Sequence, residues 1–575
     1  MASDESEEEI LKVKKLFKKI KWQHILIAAI IIFAIILRSY HIDYPTIGYH
    51  NMKEDQYLSL ALNMHETGNY LRTTWFDCDN SLGNYFNNDS YSTCSGNWGE
   101  TPPAVWTLML AMGILGWKLW AGRLLIILFS SFSIIPIYLI VKKLSHDNEY
   151  ISILTAGLYA VLPLAVFFGR NIQMDAPAYF FALMALYFIM KFVDTNKTKD
   201  FIIGCTFIVL SAWFKPLLLM IFSAIIFIIP WSTYKRYFKK LKEYKIEIIV
   251  AIITIILSTI WLLYIAGAVM PEAKSKGVGG FSFDSMWFAK GTWIDPTFSI
   301  FSSSYWTNYK PILFSYFADN YSWLGVALII IGLILFAINY KSKMSRFIWG
   351  YILGIIVYIT LLAYKWNAHA YYQYPFLLFA ALCIANVFFQ AGILIKSFIK
   401  NETAKKWLQL LPLIALLLLI APFRDSTQRV FNTQFFGQDI AGSYINAHTN
   451  SSEIFLIERG GQNEVSWTAR RFYYAVPDDP AIIQRLDKER NLRYIVMTYS
   501  GVSTIQQKKS WQYISENYHI AQVGFVQTAQ GPQVYHMVLE RGGNFNTSSL
   551  SGKPAILAET YEMTYTKIPY YVIEN

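Results

Sequence analysis

The run IIVAIITIILSTIWLLYIAGAVM, from Ile248 to Met270, carries no charged side chain over 23 residues. A bilayer core of roughly 30 Å is crossed by about 20 mostly apolar helical residues, so this run reads as a membrane span. Working outward, Trp22 to Arg38 and Tyr371 to Ile395 have the same character. Of the 575 residues, 54% are hydrophobic and only 15% charged. That balance excludes an ordinary soluble domain and predicts a mainly α, polytopic membrane protein.

The basic residues fall in short patches between apolar runs: Lys142 and Lys143, Lys197 and Lys199, Lys235 to Lys245, Lys341 to Arg346, and Lys396 to Lys406. Lys and Arg accumulate in cytoplasmic loops, so two crossings join each patch to the next. The net charge of +11 therefore orients helices and offers no continuous basic face to nucleic acid. The resulting thread has a cytoplasmic tail at 1–21, a transmembrane domain at 22–421 with about eleven spans, and an outer domain at 422–575. The spans are placed near 22–39, 121–141, 150–168, 176–193, 200–214, 216–231, 248–269, 321–339, 345–364, 371–395 and 406–421. The first of them ends in Arg38-Ser39-Tyr40 without a small-residue cleavage site and reads as an uncleaved anchor.

Two outer loops follow, at about 40–120 and about 270–320. Ala104 to Trp120, read as a full span, would invert every later basic loop. Its Trp106, Trp117 and Trp120 suit an interfacial helix instead. Residues 422–575 are polar throughout, with β-like runs at Glu453 to Ile457, Tyr494 to Thr498 and His519 to Phe525 and a helical pattern at Pro480 to Lys488. They predict a small extracytoplasmic α/β domain. Cys78 and Cys94 share the first loop, where a disulfide is expected if that loop is extracytoplasmic, two free thiols being the alternative.

Candidate chemistry gathers on the outer side. Glu54 and Asp55 open a helical pattern just beyond the first span; they read equally as a general base for a hydroxyl and as a solvated helix start favoured by its dipole. Arg170 and Asp175 occupy a polar turn between apolar spans and either pair with each other or hold a phosphate and orient a sugar. Lys215 precedes Pro216 on the side opposite the basic loops, where it binds a phosphate headgroup or snorkels to the interface. Asn367, His369, Tyr371 and Tyr372 stand at the mouth of the tenth span, the tyrosines suiting ordinary anchoring. No phosphate-binding glycine loop, paired-histidine zinc helix or dinucleotide fingerprint occurs, which argues against a nucleotide-driven pump.

In their order along the chain, these pieces resemble the GT-C membrane glycosyltransferases, within them the dolichyl-phosphate-mannose protein mannosyltransferases and bacterial aminoarabinose transferases. The resemblance rests on Glu54-Asp55-Gln56-Tyr57 with Gly68-Asn69-Tyr70, Thr101-Pro102-Pro103, Ala121-Gly122-Arg123-Leu124, Arg170 with Asp175, Lys215-Pro216, and His369 with Tyr371-Tyr372, over about residues 22–395. Two departures stand out: Thr101 takes the place where relatives often carry a lysine, and the acidic motif is offset by one.

The resemblance implies an integral membrane enzyme that moves a hexosyl or pentosyl group from a polyprenyl-phosphate donor to an acceptor hydroxyl outside the cytoplasm, with inversion. Asp55 is the expected base and Glu54 its alternative. Arg170, Asp175, Lys215, His369 and Tyr372 are expected at the donor phosphate and sugar, with no metal or cofactor. The acceptor class is a protein, a lipid or a cell-envelope glycan. The rival reading is a lipid-linked-sugar transporter or flippase without bond chemistry, for which clustered intramembrane ions and symmetric halves would speak.

Overall fold

The computed structural model describes residues 22–71, 100–269, 294–401, 403, 404, 407, 411–458 and 462–575. Cys78 and Cys94 lie outside them; Cys205 and Cys383 are buried free thiols.

Among these residues six helices are long and apolar enough to cross a membrane by length and composition, and four shorter apolar helices accompany them. The segments used below are α1 (Trp22–Arg38), α2 (Asn51–Thr67), α3 (Pro102–Leu115), α4 (Leu119–Phe132), α5 (Glu149–Val161), α6 (Asp175–Thr195), α7 (Thr198–Phe214), α8 (Lys245–Tyr264), α9 (Leu377–Ser397), α10 (Leu411–Phe431), α11 (Gln438–His448) and α12 (Gln462–Ala469). Helix α5 is the hub, buried at every residue from Ile151 to Val161. Helix α8 buries only Glu247 and Thr254 and leaves Ile252, Ile253, Ile255 and Ile256 exposed. Such an apolar surface suits lipid, not water.

Two segments differ from their expected form for local reasons. After Lys215 the chain continues as a 3-10 helix, Pro216–Ile225. At about 2 Å rise per residue, such winding lengthens a piece that is short for a span. The expected outer loop to about 320 is instead helical from Ser303, in a helix that runs to Ile338. Its break is at Ser322, whose φ of 57° is non-helical, next to the predicted span start.

Arg38, buried in the membrane part, finds partners there for two of its three guanidinium nitrogens. Arg38 donates from Nε to Ser130 Oγ at 2.9 Å and from Nη1 to the Ala160 carbonyl at 3.0 Å, and lies over the Tyr159 ring. A buried cation without such partners would be prohibitive. Gly169 permits the packing, since a Cβ there would collide with Ser130 Oγ and the Ala165 carbonyl.

Helix α10 continues through Pro422 to Phe431 and delivers the chain to the C-terminal domain. That domain holds a seven-stranded sheet in the order β2-β1-β3-β5-β4-β7-β6, from β1 (Phe455–Glu458), β2 (Tyr473–Ala475), β3 (Tyr494–Thr498), β4 (Tyr518–Thr528), β5 (Gly531–Arg541), β6 (Ile556–Glu562) and β7 (Lys567–Glu574). Strand β1 pairs parallel with β2 and β3, and the remaining pairs are antiparallel. The β-like runs read from sequence fall on β1, β3 and β4, and the predicted helix at 480–488 on Pro480–Arg490.

The segment 41–50 is clamped between the two parts. Gly48 bridges to Gln434, Tyr44 donates to Gln434 Oε1 at 2.9 Å, and Ile47 packs among Val526, Tyr561 and Tyr570. Helix α12 rests on α2. Helix α2 thus has the membrane bundle on one side and the C-terminal domain on another.

Candidate active site

Helix α2 starts after His50, which takes a left-handed conformation with φ 58°, and ends at Gly68, φ 67°, whose N–H caps the Met64 carbonyl. Every residue from Glu54 to Met64 is buried. At 100° per residue, positions one turn apart share a face and adjacent positions diverge. The sequence Asn51-Met52-Lys53-Glu54-Asp55-Gln56-Tyr57 therefore addresses three neighbours at once.

Lys53 and Tyr57 share the first face and look into a cavity of about 210 Å³. Glu54 points to helix α4, where Arg123 meets it side-on: Nε to Oε1 at 3.0 Å and Nη2 to Oε2 at 2.9 Å. The Ile172 N–H adds a bond to Oε1 at 3.0 Å. Burial alone raises the Glu54 pKa, yet Arg123 outweighs it and holds the carboxyl below its ordinary value. Asn51 and Asp55 form the third face, towards the C-terminal domain. Asn51 Nδ2 donates to Gln438 Oε1 at 3.2 Å, and Asp55 Oδ1 accepts from Thr46 Oγ1 at 2.5 Å. Asp55 also neighbours Glu464 of α12, and burial followed by that carboxyl pushes its pKa well up.

The cavity collects its polar groups from five further segments. Lys53 Nζ lies 3.1 Å from Glu100 Oε1, and the Tyr57 hydroxyl donates to Glu100 Oε2. At the start of α6, Asp175 accepts from Lys215 Nζ through both oxygens, at 2.8 and 2.9 Å. The same ammonium sits 4.7 Å from the Tyr371 ring centroid and 5.1 Å from that of Tyr372. Cation–π contact of this kind is attractive and stiffens the amine. Lys365 and His369 close the rim with Gln173. Burial, then Lys53, Lys365 and Lys215, push the His369 imidazole down to about 4, so it is neutral at physiological pH. Its Nδ1 and Gln173 Nε2 are buried without a hydrogen-bond partner. With three lysines against two carboxylates, the lining carries one positive charge in excess.

Of the residues singled out from sequence, Asp175, Lys215, His369 and Tyr372 converge on this cavity. Glu54, Asp55 and Arg170 do not line it. Arg170 donates to the Tyr40 carbonyl at 2.6 Å and the His41 carbonyl at 2.9 Å, pinning the chain just beyond α1, and of the two readings left open the pairing with Asp175 is not found, since Asp175 pairs with Lys215. Two residues beyond Lys53 on helix α2, Asp55 has its carboxylate carried round to the domain junction and off the cavity lining. Sequence reading passed over Lys53, Glu100 and Lys365. The i, i+4 spacing of Lys53 and Tyr57 was the available signal for the first. Among the described residues no group of three or more His, Cys, Asp or Glu is arranged to hold a metal ion.

A family model described as dolichyl-phosphate-mannose-protein mannosyltransferase matches residues 100–261. The structure of ArnT from Cupriavidus metallidurans in the apo state superposes with a TM-score of 0.55 at 11% identity, covering 90% of this chain and 97% of that one. The chain has the fold of the GT-C membrane glycosyltransferases. ArnT bound to undecaprenyl phosphate gives 0.53 at 11% identity, with 90% and 98% covered. The archaeal oligosaccharyltransferase AglB from Archaeoglobus fulgidus, in complex with an inhibitory peptide and a dolichol-phosphate, gives 0.53 at 11% identity, with 90% and 74% covered. No curated protein matches the chain by sequence. The GT-C fold and the apolar helices together make this an integral membrane protein, and the stretch matched by the family model supplies Glu100, Asp175 and Lys215 to the cavity.

Proposed function

We propose that the protein transfers a sugar from a polyprenyl-phosphate donor to an acceptor hydroxyl, and that the transfer takes place in this cavity. The observation that carries the reading is its mixed lining, which joins the apolar Phe214, Leu217, Leu262 and Ile265 to three lysines and two carboxylates. A polyprenyl phosphate has the same division, an apolar chain that needs an apolar wall and a phosphate that needs cations. The ligands named for ArnT and AglB, undecaprenyl phosphate and a dolichol-phosphate, have that chemistry.

The cavity occupies helix ends opposite the basic patches. Helix α6 meets it at Asp175 and ends near Lys197; α7 starts near Lys199 and ends at Lys215; α8 starts at Lys245 and ends beside Leu262. Basic loops stay in the cytoplasm, so the cavity faces the outer side in this reading. There an acceptor oxygen attacks the anomeric carbon, and the lipid phosphate leaves from the opposite face with inversion. Lys215 and Lys365 offset the charge that grows on the departing phosphate, a term of electrostatic stabilisation that acts at the transition state. Acceptors of the protein, lipid and envelope-glycan classes all present a suitable hydroxyl.

The test is release of free lipid phosphate by purified protein from synthetic polyprenyl-phosphate sugars, with acceptor candidates of the three classes. Turnover is the expected result. Saturable binding of those lipids without release, over a broad donor and acceptor panel, would instead support a headgroup-binding transporter.

A further inference from the structure

We propose that the segment from Trp231 to Lys245 is a docking site for anionic phospholipid headgroups, at the end of the helix bundle opposite the cavity.

Between the 3-10 helix Pro216–Ile225 and α8 the chain forms a short helix, Trp231–Lys239, and a turn that leads into Lys245. At about 100° per residue, Trp231, Tyr234 and Tyr237 fall within one arc of roughly 120°, and Lys235, Arg236 and Lys239 within another of about 100°. The aromatic arc ties the helix to its surroundings. Tyr237 stacks on Phe192 of α6 at 6.0 Å between ring centroids and meets Tyr244 edge-on at 4.9 Å, while the Tyr234 hydroxyl donates to the Ile226 carbonyl at 3.3 Å. Trp231 is left 69% exposed. An exposed indole next to a span suits the headgroup layer, where its ring is half in apolar and half in polar surroundings.

The charge on this segment has one sign. Residues 235–245 hold five lysines and one arginine against Glu243 alone, which pairs with Lys240 at 2.9 Å. All six cations are exposed. Among the described residues Lys235, Arg236, Lys239, Lys242 and Lys245 form no ion pair.

Position decides in favour of a lipid partner. Lys245 opens α8, and Ile246, Ile248, Ile249 and Ile252 directly beyond it are exposed. Such side chains need hydrocarbon around them, and Ile249 stands only about 6 Å along the axis from Lys245. The cations therefore hang at the edge of the hydrocarbon, within a Debye length of about 8 Å of the headgroups. Each Lys or Arg so placed gains about fivefold in affinity for an anionic surface. The segment is remote from the cavity, since α7 reaches the cavity at its far end, Lys215, and α8 runs from Lys245 to end beside Leu262.

The experiment adds phosphatidylglycerol or phosphatidylcholine of the same chain length to purified full-length protein in detergent, and reads the lipid retained by native mass spectrometry together with the thermal midpoint. It compares wild type, the triple variant Lys235→Gln/Lys239→Gln/Lys242→Gln, and a control with equal charge removed elsewhere, Lys341→Gln/Lys343→Gln/Lys396→Gln. Wild type is expected to retain phosphatidylglycerol in preference and to be stabilised by it, less so as salt rises and screens the cations. The triple variant should bind phosphatidylglycerol roughly 10²-fold more weakly, three cations at about fivefold each, with phosphatidylcholine unchanged. Its midpoint without added lipid should equal that of wild type, which verifies the fold. The control should lose no more than a few-fold. Equal retention by wild type and the triple variant, or an equal loss in the control, would overturn the proposal. So would a wild type that takes up phosphatidylglycerol only after residues 2–9 are deleted, which would give the segment to the acidic tail carrying Asp4, Glu5, Glu7, Glu8 and Glu9.

Discussion

Two sets of carboxyls lie on different faces of helix α2. On the cavity side Glu100 and Asp175 each touch a lysine ammonium. On the side facing the C-terminal domain Asp55 and Glu464 meet each other, and among the described residues neither forms an ion pair. Asp55 Oδ2 and Glu464 Oε2 are buried without hydrogen-bond partners while both groups are ionised. A single proton on either lets it donate to the other, and burial together with neighbouring carboxyls raises both pKa values. The contrast bears on Asp55: its carboxyl has a second carboxyl beside it where those of the cavity have an ammonium. A carboxylate kept ionised out of water needs a cation beside it, and the cavity meets that condition while the junction does not.

The comparison is broken most severely by taking a cation from a fully buried carboxylate. Glu54 is the clearest case, with Arg123 bound through both oxygens and both side chains almost sealed. Arg123→Met leaves an unpaired buried charge and is expected to cost about 3–5 kcal/mol of stability, read as a fall in thermal midpoint and in monodisperse yield in detergent. Adding Glu54→Gln to it should restore part of the loss, because the stranded charge is removed too. A single Arg123→Met variant with an unchanged midpoint would mean that the pair is not what fixes α2 against α4.

The same operation in the cavity falls on turnover. Lys215→Met removes the ammonium from Asp175 and from the place where the donor phosphate is proposed to leave. A loss of roughly 10²- to 10³-fold in kcat is expected, the cost of deleting one preorganised stabiliser of transition-state charge. Lys215→Met with Asp175→Asn should regain stability but not turnover, which separates the lysine's catalytic part from its structural one. If the double variant recovers both, Lys215 serves only to neutralise Asp175.

How much of this was legible in the sequence depends on whether the signal was one-dimensional. Span-length apolar runs such as 248–270 declare themselves because a bilayer imposes a length, and the Lys215-Pro216 break appears because proline ends a helix by its covalent geometry. Short runs rich in β-branched and aromatic residues likewise marked β3 and β4. The cavity membership of Asp175, Lys215, His369 and Tyr372 followed from their shared side of the membrane. The roles of Glu54, Asp55 and Arg170 did not, since each depends on azimuth about a helix or on a partner more than fifty residues away. Arg123 and Glu464 bond to helix α2 from opposite sides, and nothing local to either segment announces it. A one-residue offset in a motif is slight as text and a 100° turn in space.

The gentlest way to sharpen the comparison is to titrate the junction. Burial raises Glu464 to about 8, with Asp439 and Asp55 as its acidic neighbours and Thr468 as a donor to Oε1 at 2.8 Å. Asp439, bonded by the Tyr561 hydroxyl at 2.5 Å, is itself raised to about 6. A carboxyl whose folded pKa exceeds its unfolded value binds its proton more tightly in the folded state. The stability it lends is full below the usual carboxylate range and is lost as pH rises through the folded value. One such proton gives a slope of at most about 1.4 kcal/mol per pH unit. The thermal midpoint should therefore decline from about pH 5 to about pH 8, and Glu464→Gln, which donates through its amide and never ionises, should flatten that decline while leaving the midpoint at pH 5 nearly unchanged. Asp439 keeps a weaker slope of the same sign below about pH 6 in that variant, so the two contributions separate by pH. A midpoint that rises between pH 5 and pH 8 would mean that Asp55 and Glu464 are both ionised at the junction and draw on a cation there, and the difference between the two sides of α2 would disappear.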